Sequence, residues 1–139
     1  MGCGEETVEG RGAQDPFRIL LIEDDFASHQ MLRKILVRLG CEVTSAMTVA
    51  GGLALLDTEP NGVILDLMLP DGDGETILRK IRSDRRPIRV AVTTGEGDLD
   101  RLRRVGELGP ELLIRKPINL DELIRGLEIP TRPPRRSPR

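Results

Sequence analysis

The feature that most restricts how this chain can fold runs along most of its 139 residues: short unbroken apolar runs alternate with segments whose apolar residues recur at helical spacing. Residues 18 to 22 (RILLI) are apolar from the second residue on, as expected of a strand buried on both faces. Residues 27 to 39 carry Met31, Leu32, Ile35, Leu36 and Leu39 at steps that keep them on one helix face, and Gly40 follows where a helix end favours glycine. The cycle continues with strand 41–45, helix 48–58, strand 62–66, helix 74–82, strand 88–93, helix 98–107, strand 111–115 and helix 119–128. Five strands alternating with five helices predict a single α/β sandwich, a parallel sheet covered on both faces by right-handed crossovers.

The length fits one domain, which at this size buries about two-thirds of the unfolded chain's surface and needs no disulfide or structural metal. The only aromatic residues are Phe17 and Phe26, so the core must be aliphatic. Aromatic stacking platforms for single-stranded nucleic acid and aromatic cages for cationic ligands are excluded. Cys3 and Cys41 form neither a CxxC motif nor a Cys/His cluster, which argues against zinc and against a disulfide framework. The longest aliphatic run, Ile19 to Ile22, is far too short to span a bilayer, and the acidic N-terminus lacks the basic and apolar regions of a signal peptide. A cytoplasmic protein is expected, with no membrane partner.

The net charge of −2 is unevenly spread. Residues 1–16 carry four acids and one Arg, whereas residues 130–139 carry four Arg, four Pro and no acid. Both ends are poor in large apolar residues, so a flexible arm (1–16) and a flexible Pro/Arg-rich tail (130–139) are expected around a folded unit at 17–129. The tail suits a solubilising end better than an anionic-partner contact, and the faintly acidic body gives no global reason to expect nucleic-acid binding.

In an open parallel sheet, ligands bind beyond the carboxyl ends of the strands, beside the point where strand order reverses. The first strand runs into Glu23-Asp24-Asp25, the third ends at Asp66, the fourth at Thr93-Thr94-Gly95 and the fifth at Lys116-Pro117. One rim therefore gathers carboxylates, hydroxyls and an ammonium. Clustered carboxylates repel unless a cation joins them, and oxygen donors of this kind suit a hard divalent ion, Mg²⁺ better than a full Ca²⁺ cage. With a carboxylate available as nucleophile, the set reads as aspartyl-phosphate chemistry: Asp66 attacks, the metal neutralises phosphoryl oxygens, and Lys116 and Thr94 hold them. Taken singly, each position has an ordinary structural explanation. Asp24 or Asp25 suits the N-cap of the first helix, and a lysine before proline is commonly exposed.

These pieces resemble a known family. LLIEDD after the first strand, VILDLMLPDGDG around the third, VAVTTGEGD at the fourth and LLIRKPINLDELI across the fifth are similar to the receiver domain of bacterial two-component response regulators, over residues 18–128. The resemblance implies a flavodoxin-like sheet of order 2-1-3-4-5, which places Glu23 and Asp24 beside Asp66. It implies Asp66 as the phosphoacceptor, Asp24 as a direct Mg²⁺ (or Mn²⁺) ligand, Glu23 acting largely through water, and the Met68 backbone carbonyl as third protein ligand. Pro70 and Gly74 fit the loop that follows. The family's switch hydroxyl precedes a small residue 22 positions before the lysine; since 116 − 94 = 22 and Gly95 follows, Thr94 fits better than Thr93. Lys116-Pro117 completes the set, commonly with a cis bond. The phosphodonor implied is a sensor histidine kinase or histidine phosphotransfer protein, and the only chemistry implied is the domain's own phosphotransfer and dephosphorylation.

One position departs from the family. Its rotating aromatic switch, three residues before the lysine, is Leu113 here, and the chain has no Tyr. That leaves open a degenerate receiver acting purely as a protein-interaction module. A haloacid-dehalogenase-like phosphatase needs an Asp two residues after its nucleophile, where this chain has Met68. A calcium-binding EF-hand loop starting at Asp71 would need Gly and Glu where Thr76 and Arg82 stand, so Asp71, Asp73 and Glu75 read as a turn-rich acidic loop. His29 is expected at the surface of the first helix. With only the ten residues of the tail after the folded unit, no DNA-binding, cyclase or transferase output is expected on this chain.

Overall fold

The computed structural model describes residues 15–95, 97 and 99–131. The expected arm before Asp15, with Cys3, and the tail beyond Thr131 lie outside the described residues.

The expected strand segments become the five strands of one parallel sheet: β1 (Arg18–Ile22), β2 (Glu42–Ala46), β3 (Gly62–Asp66), β4 (Arg89–Thr94) and β5 (Leu112–Arg115), in the order β2-β1-β3-β4-β5. Successive side chains of a strand face opposite sides of the sheet, and the core divides accordingly. Leu20, Ile22, Val63, Leu65, Val90 and Val92 pack on one side with Val49, Leu56, Ile77, Leu78, Ile81 and Val105. Ile19, Leu21, Ile64, Ala91 and Ile114 pack on the other with Leu32, Leu36, Leu123 and Leu127. The helices α2 (Val49–Leu55), α3 (Glu75–Ser83) and α4 (Leu99–Glu107) thus cover one face, and α1 (Phe26–Arg38) and α5 (Leu120–Leu127) the other. Each fully buried Leu or Ile contributes roughly 1.5–3 kcal/mol, so an aliphatic core suffices; Phe26 stays exposed.

Two elements differ from expectation. The second helix stops at Leu55 and tightens into a 3-10 turn, Leu56–Thr58, ending at Glu59 with φ 57°. Pro60 explains the change, because proline disfavours helical backbone in the residue before it. The loop after β3 contains a two-residue antiparallel ladder, pairing Met68 with Asp73 and Leu69 with Gly72. The sequence between them, Pro70-Asp71, followed by Gly72, has the residue types of a tight turn.

His29 corrects a further expectation. It is buried, and its Nδ1–H donates to the Glu23 backbone carbonyl at 3.0 Å. His29 stands in the first turn of α1, which starts at Phe26, and its ring reaches back to the residue that follows β1. Gly40, with φ 95°, supplies the left-handed residue just after α1, as the sequence suggested. Among the described residues no helix is long and apolar enough to cross a membrane.

Candidate functional site

Strand order puts the carboxyl ends of β1, β3 and β4 side by side, with Ile22 paired to Leu65 and Asp66 to Thr93. Beyond β1 the acidic triplet splits into three roles. Glu23 is buried, its Oε2 accepting the Asp25 N–H at 3.0 Å. Asp25 is the N-cap of α1, accepting the Ser28 N–H at 2.9 Å, and that bond holds its carboxyl below the usual carboxylate range. Asp24, between them, is exposed at the rim.

Asp66 ends β3 and is nearly buried. One oxygen, Oδ1, accepts the Met68 N–H at 3.1 Å, and the other, Oδ2, accepts from Lys116 Nζ at 3.0 Å. The same ammonium donates to Glu23 Oε1 at 2.9 Å. Lys116 is fixed from β4 as well, its N–H donating to the Thr94 carbonyl at 2.8 Å, and the bond that follows it, Lys116–Pro117, is cis. Thr94 itself is fully buried at the end of β4.

The ionisation of these groups follows from their surroundings. Burial pushes the Glu23 carboxyl up, as does the nearby Asp66 charge, against the Asp25 and Lys116 hydrogen bonds that lower it. Burial alone would lower Lys116, but its hydrogen bonds to Glu23 and Asp66 and their charges outweigh that and raise it. One carboxylate oxygen each from Glu23, Asp24 and Asp66 lies within 4.8 Å of the others. At that separation two carboxylates repel by roughly 3–4 kcal/mol at an effective dielectric near 20. Three acids against one ammonium leave two uncompensated charges, so the all-oxygen donor set fits a hard divalent cation such as Mg²⁺, with the exposed Asp24 open to its remaining waters.

Comparison with known proteins agrees with this geometry. Residues 19–128 match the family described as the response regulator receiver domain. The chain belongs to that family. The receiver is 31% identical over 110 residues to sporulation initiation phosphotransferase F of Bacillus subtilis, covering 76% of this chain and 86% of that one. It is 31% identical over 110 residues to the acid tolerance regulatory protein ActR of Rhizobium meliloti, of whose length it covers 57%. Among solved structures, a CheY-like receiver domain from Methanospirillum hungatei superposes with a TM-score of 0.75 at 31% identity, over 81% of this chain and 91% of that one. The HemR receiver domain of Leptospira biflexa, non-phosphorylated, does so with a TM-score of 0.70 at 34% identity, over 86% and 99%.

Around the receiver's acidic centre the structure adds partners that sequence reasoning passed over. Asp71 turns toward α2, accepting the Val49 and Ala50 N–H groups at 2.7 and 3.0 Å. Asp73 accepts the Glu75 N–H at 2.9 Å and pairs with Arg101 of α4 at 2.5 Å. Glu75 pairs with Arg79 and, at 3.7 Å, with Arg104. The three loop acids were visible as a cluster, but their partners were not: Arg101 looks in sequence like its neighbours Arg103 and Arg104. Leu113, on β5, is 37% exposed at the family's aromatic position.

Proposed function

We propose that this receiver accepts a phosphoryl group on Asp66, in a Mg²⁺-dependent transfer from the phosphohistidine of a sensor kinase or phosphotransfer protein, and signals through protein contacts in the cytoplasm. The observation that carries the reading is the Lys116 ammonium bridging Asp66 and Glu23, with Asp24 at the same rim. A phosphoryl oxygen arriving at Asp66 would find that ammonium already in place. Asp66 oxygen attacks phosphorus, the O–P bond forms, the donor's P–N bond breaks, and the imidazole leaves with the electron pair. A divalent cation held by Asp24, Asp66 and the Met68 carbonyl, with Glu23 acting through water, would neutralise the developing phosphoryl charge. Thr94, at the end of the neighbouring strand, is the hydroxyl proposed to meet the phosphoryl group. The chain then turns over only its own phosphoryl group. Its relative from Bacillus subtilis is named a phosphotransferase, which supports a place in a relay.

The test is intact mass after incubation with acetyl phosphate and Mg²⁺, on wild type and Asp66→Asn, with and without chelator. A gain of one phosphoryl group that requires both metal and Asp66 is expected. Labelling of Asp66→Asn at the wild-type rate would overturn the assignment. No gain from acetyl phosphate or from a phosphohistidine protein donor, despite bound Mg²⁺, would favour a receiver that works by contact alone.

A further inference from the structure

The peptide unit joining Leu67 to Met68 is held at both ends. Its N–H donates to Asp66 Oδ1 at 3.1 Å, so it is tied directly to the carboxylate at the centre of the site. Its carbonyl, the Leu67 oxygen, accepts from the Gly74 N–H at 2.9 Å and from Arg101 Nη2 at 3.0 Å. The Arg101 side chain is only 14% exposed, and Asp73 Oδ1 holds the same nitrogen at 2.5 Å. Its other terminal nitrogen lies 3.6 Å from Met68 Sδ. One guanidinium from α4 thus closes over both residues that follow Asp66. A planar, permanently charged fork suits this task better than a flexible ammonium, because it can address a carbonyl and a carboxylate from one fixed plane.

We propose that Arg101 is a positioning residue for the phosphoacceptor: by fixing the Leu67–Met68 peptide it sets the hydrogen bond on Asp66 and links the site to α4. The rate consequence rests on the reading of Asp66 as phosphoacceptor; the positional one does not. A peptide plane cannot rotate to release its carbonyl without also turning its N–H, so loosening the Arg101 end loosens the Asp66 end. Because the guanidinium belongs to α4, any displacement of α4 is felt at Asp66, and by linkage any change at Asp66 is felt at α4. This route runs through the β3–α3 loop and does not need an aromatic residue at position 113.

The test compares wild type, Arg101→Ala and Arg101→Gln, with Arg103→Ala as control. Arg103 is on the same helix, exposed, and bonded to Asp100 one turn away, so its removal makes the same charge change without touching the loop. Hydrogen exchange of the Met68 amide in metal-free protein should quicken roughly tenfold in Arg101→Ala, while core amides such as Leu65 and Val92 keep their protection. Arg101→Gln, which retains a donor, should fall between and serves if the alanine variant is poorly folded. Labelling of Asp66 by acetyl phosphate should slow roughly tenfold at saturating Mg²⁺, a factor worth about 1.4 kcal/mol. Unchanged Met68 exchange in both Arg101 variants, or equal quickening of all amides, would overturn the positioning role. If wild type is not labelled at all, the phosphoacceptor reading fails, and the exchange result still decides whether Arg101 fixes the peptide.

Discussion

Lys116 Nζ and Asp66 Oδ2 meet at 3.0 Å although 50 residues separate them in the chain, and the approach is possible because β3, β4 and β5 are consecutive in the sheet. The ammonium is shared with Glu23, so it occupies part of the charge that a divalent cation would otherwise neutralise. Lys116→Ala therefore removes a competitor of the metal and, at the same time, a partner of the phosphoryl group. Mg²⁺ affinity, followed by titration, is expected to hold or tighten, whereas Asp66 labelling should slow roughly tenfold, about 1.4 kcal/mol. Parallel loss of metal affinity would mean that Lys116 organises the acids and does not act on the phosphoryl group.

Gly74 tests how closely the loop must pass the phosphoacceptor strand. A Cβ placed there would run into the Asp66 carbonyl oxygen and lie 3.1 Å from Leu67 Cα, both backbone atoms that cannot swing aside. Gly74→Ala must push the start of α3 away from β3. The cost is expected at about 2–3 kcal/mol, read as a clear drop in thermal midpoint. A midpoint equal to wild type would show that the loop has more freedom than this contact allows.

How much of this was legible in the sequence depended on what each residue answers to. The central strands were readable because burial on both faces forbids polar interruption: β3 has its predicted bounds, and β4 is displaced by one residue at each end. The rim was readable because charge on an otherwise apolar strand end has to be satisfied locally, which picked out Glu23, Asp66 and Lys116. What stayed hidden depends on partners far away in the chain. Nothing near Arg101 shows that it reaches Leu67, and nothing near Asp71 shows that it accepts from Val49 and Ala50. His29 was misread for a related reason: a polar residue in a mixed helix looks exposed until a backbone carbonyl is found for its ring.

His29 accordingly gives a prediction about stability. Its Nδ1–H satisfies the Glu23 carbonyl inside the fold, so a residue of similar bulk without a donor leaves that oxygen unmatched. His29→Leu should cost about 1–2 kcal/mol in urea unfolding, whereas Gln30→Ala, on the exposed side of α1, should stay within about 0.5 kcal/mol. Equal midpoints for His29→Leu and wild type would show that the carbonyl is satisfied in another way.

Asp71 carries a pH signature because its work depends on charge. Two backbone N–H groups of α2 donate to its carboxylate, and those bonds hold its pKa below the ordinary value of 3.8. The unfolded chain takes up this proton at a higher pH than the folded one, so the group adds stability above about pH 4 and loses it as pH falls through the folded value. Asp71→Asn keeps one acceptor oxygen but removes the charge and the second oxygen, and should lower the urea midpoint at pH 7. That gap should hold its size down to about pH 5 and shrink below 3.8 as the wild-type carboxyl protonates. Urea unfolding of both proteins between pH 7 and pH 3 measures it; a gap that stays constant to the acid end would mean that the amides are capped by an uncharged acceptor equally well.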